Sequence, residues 1–238
     1  MGFLLKIALA YCIGGYKMKC VNLIIAAHPD DEVLGCGGMI SKNSDNEDFY
    51  VLILTAGANT RYGEFMEKTL RDNAIQANKI VGTKEVFFEN LPNQGLETIA
   101  LIDIIKIIER YITLLKPTKL FTQHGGDLNK DHKIVYEASV TAARPVVGQI
   151  VRELYTYNVP SSTEWNFTHG QIHFIPNIFM DIKETIEKKI DAMRCYESEC
   201  RPYPHPRSPE SVDIHANYWG LSVGLEFAEP FMLIRKIV

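Results

Sequence analysis

Cysteine, tryptophan, clustered positive charge and long apolar runs are all scarce in this chain of 238 residues, and each scarcity excludes something. There are five cysteines (Cys12, Cys20, Cys36, Cys195 and Cys200). Their odd number and the lack of zinc-ribbon spacing argue against a disulfide framework and fit a reducing cytoplasm. Cys195 and Cys200 are near enough in sequence for a local bridge, but free thiols are the expectation. The net charge is −4 and no segment gathers Lys and Arg, which argues against a nucleic-acid partner. No apolar stretch reaches the ~20 residues of a membrane-spanning helix. Phe3 to Ile13 comes closest, but it carries Lys6 and lacks the basic start of a secretory signal. That leaves membrane association disfavoured, with a surface-lying segment still open. Met18-Lys19-Cys20 reads as a natural domain start, so residues 1–18 are taken as an N-terminal extension and 19–238 as one domain. A hydrophobic content of 46% supports a large core at this length. No linker, repeat or low-complexity tract divides it, and a homo-oligomer is compatible with the sequence.

What is present alternates. Val21–Ala27 (VNLIIAA) reads as a strand buried on both faces, and Phe49–Thr55, Glu85–Leu91 and Leu120–Gln123 read as further strands. Helical patterns lie between them over about Gly63–Ile80, Thr98–Leu115 and Asp131–Ala143, the second ended by Lys116-Pro117. Glu153–Val159 and Asn177–Ile182 continue the strands. A helix from near Lys183, a Pro-rich loop from Arg201, a short helix over Val212–Trp219 and a strand Phe231–Val238 close the chain. This order predicts an α/β fold: a Rossmann-like, mostly parallel sheet with helices on both faces, in a single domain.

The most informative cluster is His28-Pro29-Asp30-Asp31-Glu32, placed where the first strand leaves its sheet. Open α/β sheets bind ligands at that crest. The small residues of Gly35-Cys36-Gly37-Gly38 let the following helix start close against the sheet. His28 and Asp31, three apart, can converge on one cation and leave Asp30 unbound. A catalytic zinc usually takes three protein ligands and keeps one position open. The best third candidate is in His124-Gly125-Gly126-Asp127-Leu128-Asn129-Lys130-Asp131-His132, again after an apolar strand, where His132 opens an amphipathic helix. The plainer alternatives are a solvated loop or helix cap for His28, and turn or N-cap roles for Asp127, Asn129 and Asp131. For Asp127 the cap reading is preferred. Two such clusters, each behind a strand, make coincidence a weaker account than it is for one.

Taken together, Ala27-His28-Pro29-Asp30-Asp31-Glu32-Val33-Leu34-Gly35-Cys36-Gly37-Gly38 and Asp127-Leu128-Asn129-Lys130-Asp131-His132 resemble the LmbE-like/PIG-L family of zinc deacetylases. Ala192–Ser198, His205–Glu210 and Gly224–Phe231 add to the resemblance, which runs from about Lys19 to Arg235. It implies one zinc ion per chain at the sheet crest and removal of an acetyl group from an N-acetylated sugar or sugar conjugate. By position, His28, Asp31 and His132 would be the zinc ligands and Asp30 the general base.

The chain departs from the pattern in one respect. Several members carry a second His three residues before the last ligand, where this chain has Asn129. Asn donates hydrogen bonds but supplies no proton at neutral pH. His205, between Pro204 and Pro206, is the nominee for proton donor, against the alternative of a rigid Pro-flanked loop. His124 is a second possibility, lining the pocket or bonding a ligand. Arg61, just past the second strand, and Arg207 are candidates for a sugar hydroxyl or phosphate, or else solvated loop residues. His169, His173 and His215 read as surface or satisfied core histidines. Trp165 and Trp219 read as packing, with stacking on a sugar ring the alternative.

The residue types suit the chemistry independently of family. An amide needs a strong nucleophile, a stabilised oxyanion and a protonated leaving amine. A bound zinc lowers the pKa of water to about 7 and polarises a carbonyl. Besides an N-deacetylase, an amidase of a larger acyl or thiol conjugate and a non-catalytic nucleotide- or sugar-binding module also fit. The last is weakest, because Gly35-Cys36-Gly37-Gly38 is no GxGxxG and follows acids that would repel a pyrophosphate.

Overall fold

The computed structural model describes residues 19–55, 64–167 and 172–238. The expected 1–18 extension and the candidate Arg61 lie outside the described residues.

Among the described residues, seven strands form one sheet, in the order β3-β2-β1-β4-β5-β7-β6. They are β1 (Cys20–Ala26), β2 (Glu47–Ile53), β3 (Glu85–Phe88), β4 (Lys119–Gln123), β5 (Glu153–Tyr157), β6 (Ile178–Asp181) and β7 (Ala228–Lys236). The first five run parallel, and β7 is antiparallel to both β5 and β6. Among the described residues six helices cover the faces: α1 (Asp31–Asn43), α2 (Glu64–Val81), α3 (Leu101–Leu115), α4 (Lys130–Ala142), α5 (Ile186–Arg194) and α6 (Pro209–Leu221). Alternate residues of the central strands supply two cores. Ile24, Val51 and Phe121 pack with α1, α2, α5 and α6 on one face. Leu23, Leu52 and Leu120 pack with α3 and α4 on the other. None of the described helices is long and apolar enough to cross a membrane.

The winding direction reverses between β1 and β4, neighbouring strands whose helices lie on opposite faces. Chains leaving adjacent strands for opposite faces open a crevice at the strands' carboxyl ends. Both His/Asp clusters follow those two strands.

The glycines of α1 allow the close approach expected of them. A Cβ on Gly35 would stand 2.1 Å from Tyr157 Cδ2, and one on Gly38 would stand 2.7 Å from Ile182 Cγ2. Tyr157 cannot simply swing aside, since its hydroxyl donates to the Ile25 carbonyl at 2.8 Å. Gly35→Ala would gain up to ~1 kcal/mol in helix propensity, but the clash dominates. The variant is expected to lose about 2 kcal/mol, a Tm drop of roughly 4–8 °C for a chain of this size. An unchanged or raised Tm in thermal unfolding would contradict this packing.

Candidate metal centre and its cleft

His28 and Asp31 sit on the turn from β1 into α1, and His132 sits in the first turn of α4. All three side chains are buried, and their donor atoms converge. His28 Nδ1 lies 3.3 Å from Asp31 Oδ2, His132 Nε2 lies 3.3 Å from His28 Nδ1, and His132 Nε2 lies 3.3 Å from Asp31 Oδ2. Donors about 2.0–2.1 Å from a tetrahedral ion are separated by roughly 3.3–3.4 Å. The triangle therefore matches one face of such a site, formed by two imidazole nitrogens and one carboxylate oxygen.

The opposite ring nitrogens are fixed by carboxylates. His132 Nδ1 donates to Asp127 Oδ2 at 2.8 Å, and His28 Nε2 donates to Asp131 Oδ2 at 3.0 Å. In the neutral rings each bond places the proton away from the triangle and leaves the inward nitrogen as a lone pair. Asp131 also accepts the backbone N–H groups of Gln94 (2.8 Å) and Leu96 (3.1 Å), which ties the turn after β3 to the centre. Asp31 Oδ2 is oriented by the His28 N–H and by Gln123 Nε2, both at 2.9 Å. Its Oδ1 is buried with no hydrogen-bond partner among the described residues.

The electrostatics call for positive charge among these donors. Burial is the largest influence on His132 and favours the neutral ring, yet Asp31 and Asp127 raise its pKa to about 10. Burial likewise opposes ionisation of Asp31, but the two imidazoles hold it well below the usual carboxylate range. A cation suits such a cluster of buried acids.

Asp127 and Asp131 are where the sequence reading needs correction. Asp127, preferred as a helix-capping residue, instead bonds His132. The cap of α4 is Asn129, whose side chain accepts the Asp131 N–H at 2.9 Å. Both acids could have been found from the rule that a metal-binding imidazole usually hands its other N–H to a carboxylate or carbonyl.

Asp30 stands apart from the triangle. Its backbone has φ 113°, unusual for a residue with a side chain, and its carboxylate makes no cap to α1. Glu32 Oε2 holds the Asp30 N–H at 3.1 Å. Glu32 itself is buried among Asn78 and Tyr196, which donate to its Oε1. Burial pushes the Glu32 carboxyl up to about 7, against those hydrogen bonds. The Asp30 side chain instead meets Arg207, whose Nη1 lies 2.8 Å from Oδ2. Burial raises the Asp30 pKa well above the carboxylate range, and the Arg207 guanidinium works against that rise.

A cleft of about 610 Å³ opens over the centre, lined by His28, Asp30, Asn129, Trp165, His205 and Arg207 among others. His205 Nδ1 accepts the Arg207 N–H at 3.1 Å, so in the neutral ring the proton is on Nε2. Burial, then Arg207 and Arg201, lowers its pKa. Arg207 is more a buttress than an open contact, since it also donates to Ser161 Oγ at 2.9 Å. His124 is not in the cleft. Its Nε2 donates to the Ile172 carbonyl at 2.9 Å and its ring packs on Phe174, which corrects the expectation that it lines the pocket or touches a ligand.

Comparison with known proteins agrees with this architecture. A family model described as PIG-L, GlcNAc-PI de-N-acetylase, matches residues 23–143. The diacetylchitobiose deacetylase of Thermococcus kodakarensis is 28% identical over 231 residues, covering 90% of this chain and 83% of that protein. In structure, the N,N'-diacetylchitobiose deacetylase of Pyrococcus horikoshii superposes with a TM-score of 0.69 at 20% identity, covering 98% of this chain and 90% of that one. GalB of Pseudomonas putida KT2440, a 4-carboxy-2-hydroxymuconate hydratase, superposes with a TM-score of 0.73 at 18% identity, covering 92% and 98%. The fold therefore carries more than one chemistry.

Proposed function

The chain belongs to the PIG-L family of de-N-acetylases, and on that premise we propose that it is a zinc-dependent hydrolase removing the N-acetyl group from an amino-sugar conjugate. The observation that carries the reading is the triangle of donors from His28, Asp31 and His132 beside an uncoordinated, buried Asp30. These three residues would hold one zinc ion. When bound, the ion supplies a lowered pKa for water and Lewis acidity toward the acyl oxygen.

The protein's own groups supply the rest. Asp30 takes the proton from the attacking water, with Arg207 fixing the carboxylate and favouring its ionised form. Asn129 keeps its Nδ2 available for a substrate oxygen, because only its Oδ1 is engaged in capping α4. The departing amine is protonated as the C–N bond breaks, by Asp30 with the proton it took from water or by His205 in its imidazolium form, leaving acetate and a free amino sugar. Trp165 lies edge-on to His205 at 5.4 Å between ring centroids and lines the same cleft, where it can pack on a sugar ring. The reading keeps the chain in the cytoplasm, where Cys20, Cys36, Cys195 and Cys200 stay as the free thiols they are in the structure.

The test is acetate release from a panel of N-acetylglucosamine, diacetylchitobiose and N-acetylglucosaminyl lipids, alongside analogues with longer acyl chains. Acetate is expected, with loss of activity on chelation, recovery on adding zinc, and about one ion per chain in the active protein. Preference for the longer acyl groups would favour the broader amidase. Acetate release that is indifferent to chelation would overturn the metal-dependent reading.

A further inference from the structure

A second cavity, about 430 Å³, lies behind the wall of the first. The wall is the segment after β5. Ser161, Ser162 and Trp165 of that segment face the cleft over the metal centre, whereas Asn158, Thr163, Glu164 and Asn166 line the second cavity. Its far side is aromatic. Trp219 meets Tyr218 at 5.0 Å and Phe174 at 6.2 Å between ring centroids, both edge-on, and all three rings line the space.

Two polar side chains in this cavity make no side-chain hydrogen bond among the described residues. Asn158 is only 8% exposed, and its amide makes no side-chain hydrogen bond among the described residues. The same is true of His215, which sequence alone assigns to a surface or satisfied core position. Burial lowers the His215 pKa, so the ring is neutral at pH 7 and offers one donor and one acceptor. The Asn158 amide is not sealed off from solvent at its polar atoms. Being open to the cavity, it can be satisfied by what enters.

The chemistry of the lining selects the ligand. Among the described residues no Lys or Arg lines the cavity, which removes the usual attraction for phosphate or carboxylate. Aromatic faces beside an amide, an imidazole and a carboxylate suit a ring with an apolar face and a rim of hydroxyls. We infer that this cavity is an accessory binding site for a neutral pyranose, with the sugar packed on Trp219 and its hydroxyls bonded by Asn158 and His215. The inference stands on this lining and does not depend on the reaction assigned to the first cleft.

The chain has two tryptophans, so Trp165→Phe leaves Trp219 as the sole indole reporter. Methyl β-glucopyranoside is a suitable probe because it has no amide to hydrolyse. Titration is expected to give a saturable change in Trp219 emission. The change should persist after chelation and in a Trp165→Phe/His132→Ala double variant, which separates this cavity from the metal centre. Adding Asn158→Ala to Trp165→Phe should weaken binding about tenfold or more, and His215→Ala offers an independent check if the first variant folds poorly. Inorganic phosphate should give no response. No saturable change with the glucoside, or equal affinity in folded Asn158→Ala and His215→Ala variants, would overturn the inference.

Discussion

Asp30→Asn is expected to lower kcat by about 10²–10⁴-fold, with zinc content unchanged and KM close to that of the parent. The reasoning starts at the backbone. Asn is among the few residues with side chains that tolerate positive φ, so the turn at φ 113° should survive the substitution. The new amide oxygen can still accept from Arg207 and occupies the same buried volume. Only the ability to take a proton from water is removed. Because Asp30 is not among the converging donors, the ion should be retained. The measurements are steady-state acetate release and metal analysis on the same preparation. Activity near that of the parent would show that the proton goes elsewhere, and loss of the ion would show that Asp30 helps to hold it. Arg207→Lys is the companion variant. Lysine keeps the charge but not the fork that reaches both Asp30 and Ser161, so a fall in kcat larger than any change in KM would identify Arg207 as positioning Asp30.

The elements that place these residues were legible because their signals are local. β1 is read from an apolar, β-branched run, and the Asp/Gly punctuation after it marks the turn. The ends of the chain were less legible, for physical reasons that can be named. Helix α6 begins at Pro209, not near Val212, because Ser208 caps it by accepting the Ser211 N–H at 3.0 Å and Pro209 takes the first-turn position. Read along the sequence, those prolines look like a loop. Strand β7 begins at Ala228, ahead of the expected Phe231, because Glu229 is buried inside it. Its carboxylate is neutralised by Lys189 at 2.6 Å and accepts the Gly38 and Met39 N–H groups, each at 2.7 Å. A charged residue within a strand hides the strand when its counter-ion is 40 residues away. The donor triangle was recoverable from two motifs. The orienting acids were not assigned, because Asp127 and Asp131 have sequence positions equally suited to capping, and only the fold shows which bond each makes. His124 erred in the other direction: the end of its strand is adjacent to the centre, but the side chain turns toward Ile172.

Removing a ligand and removing the acid behind it should differ in degree, and that difference separates a metal centre from a buried hydrogen-bond cluster. His132→Ala deletes one of three donors and is expected to reduce bound zinc below detection, taking acetate release to background. It also leaves Asp31 and Asp127 buried without their shared imidazole, a loss of about 3–5 kcal/mol when one member of a buried charged pair is removed. Asp127→Asn preserves an acceptor for His132 Nδ1 but removes the charge that makes the ring a stronger ligand, so zinc affinity should fall about 10–100-fold. Excess zinc should then restore activity to Asp127→Asn and not to His132→Ala. Competition with a chromophoric chelator gives the affinities, and calorimetric unfolding gives the stability. If both variants lost stability equally while zinc affinity in Asp127→Asn matched the parent, the imidazoles and acids would be a structural network rather than a metal centre. Retention of a full complement of zinc by His132→Ala would mean that the ion is held by a different set of donors.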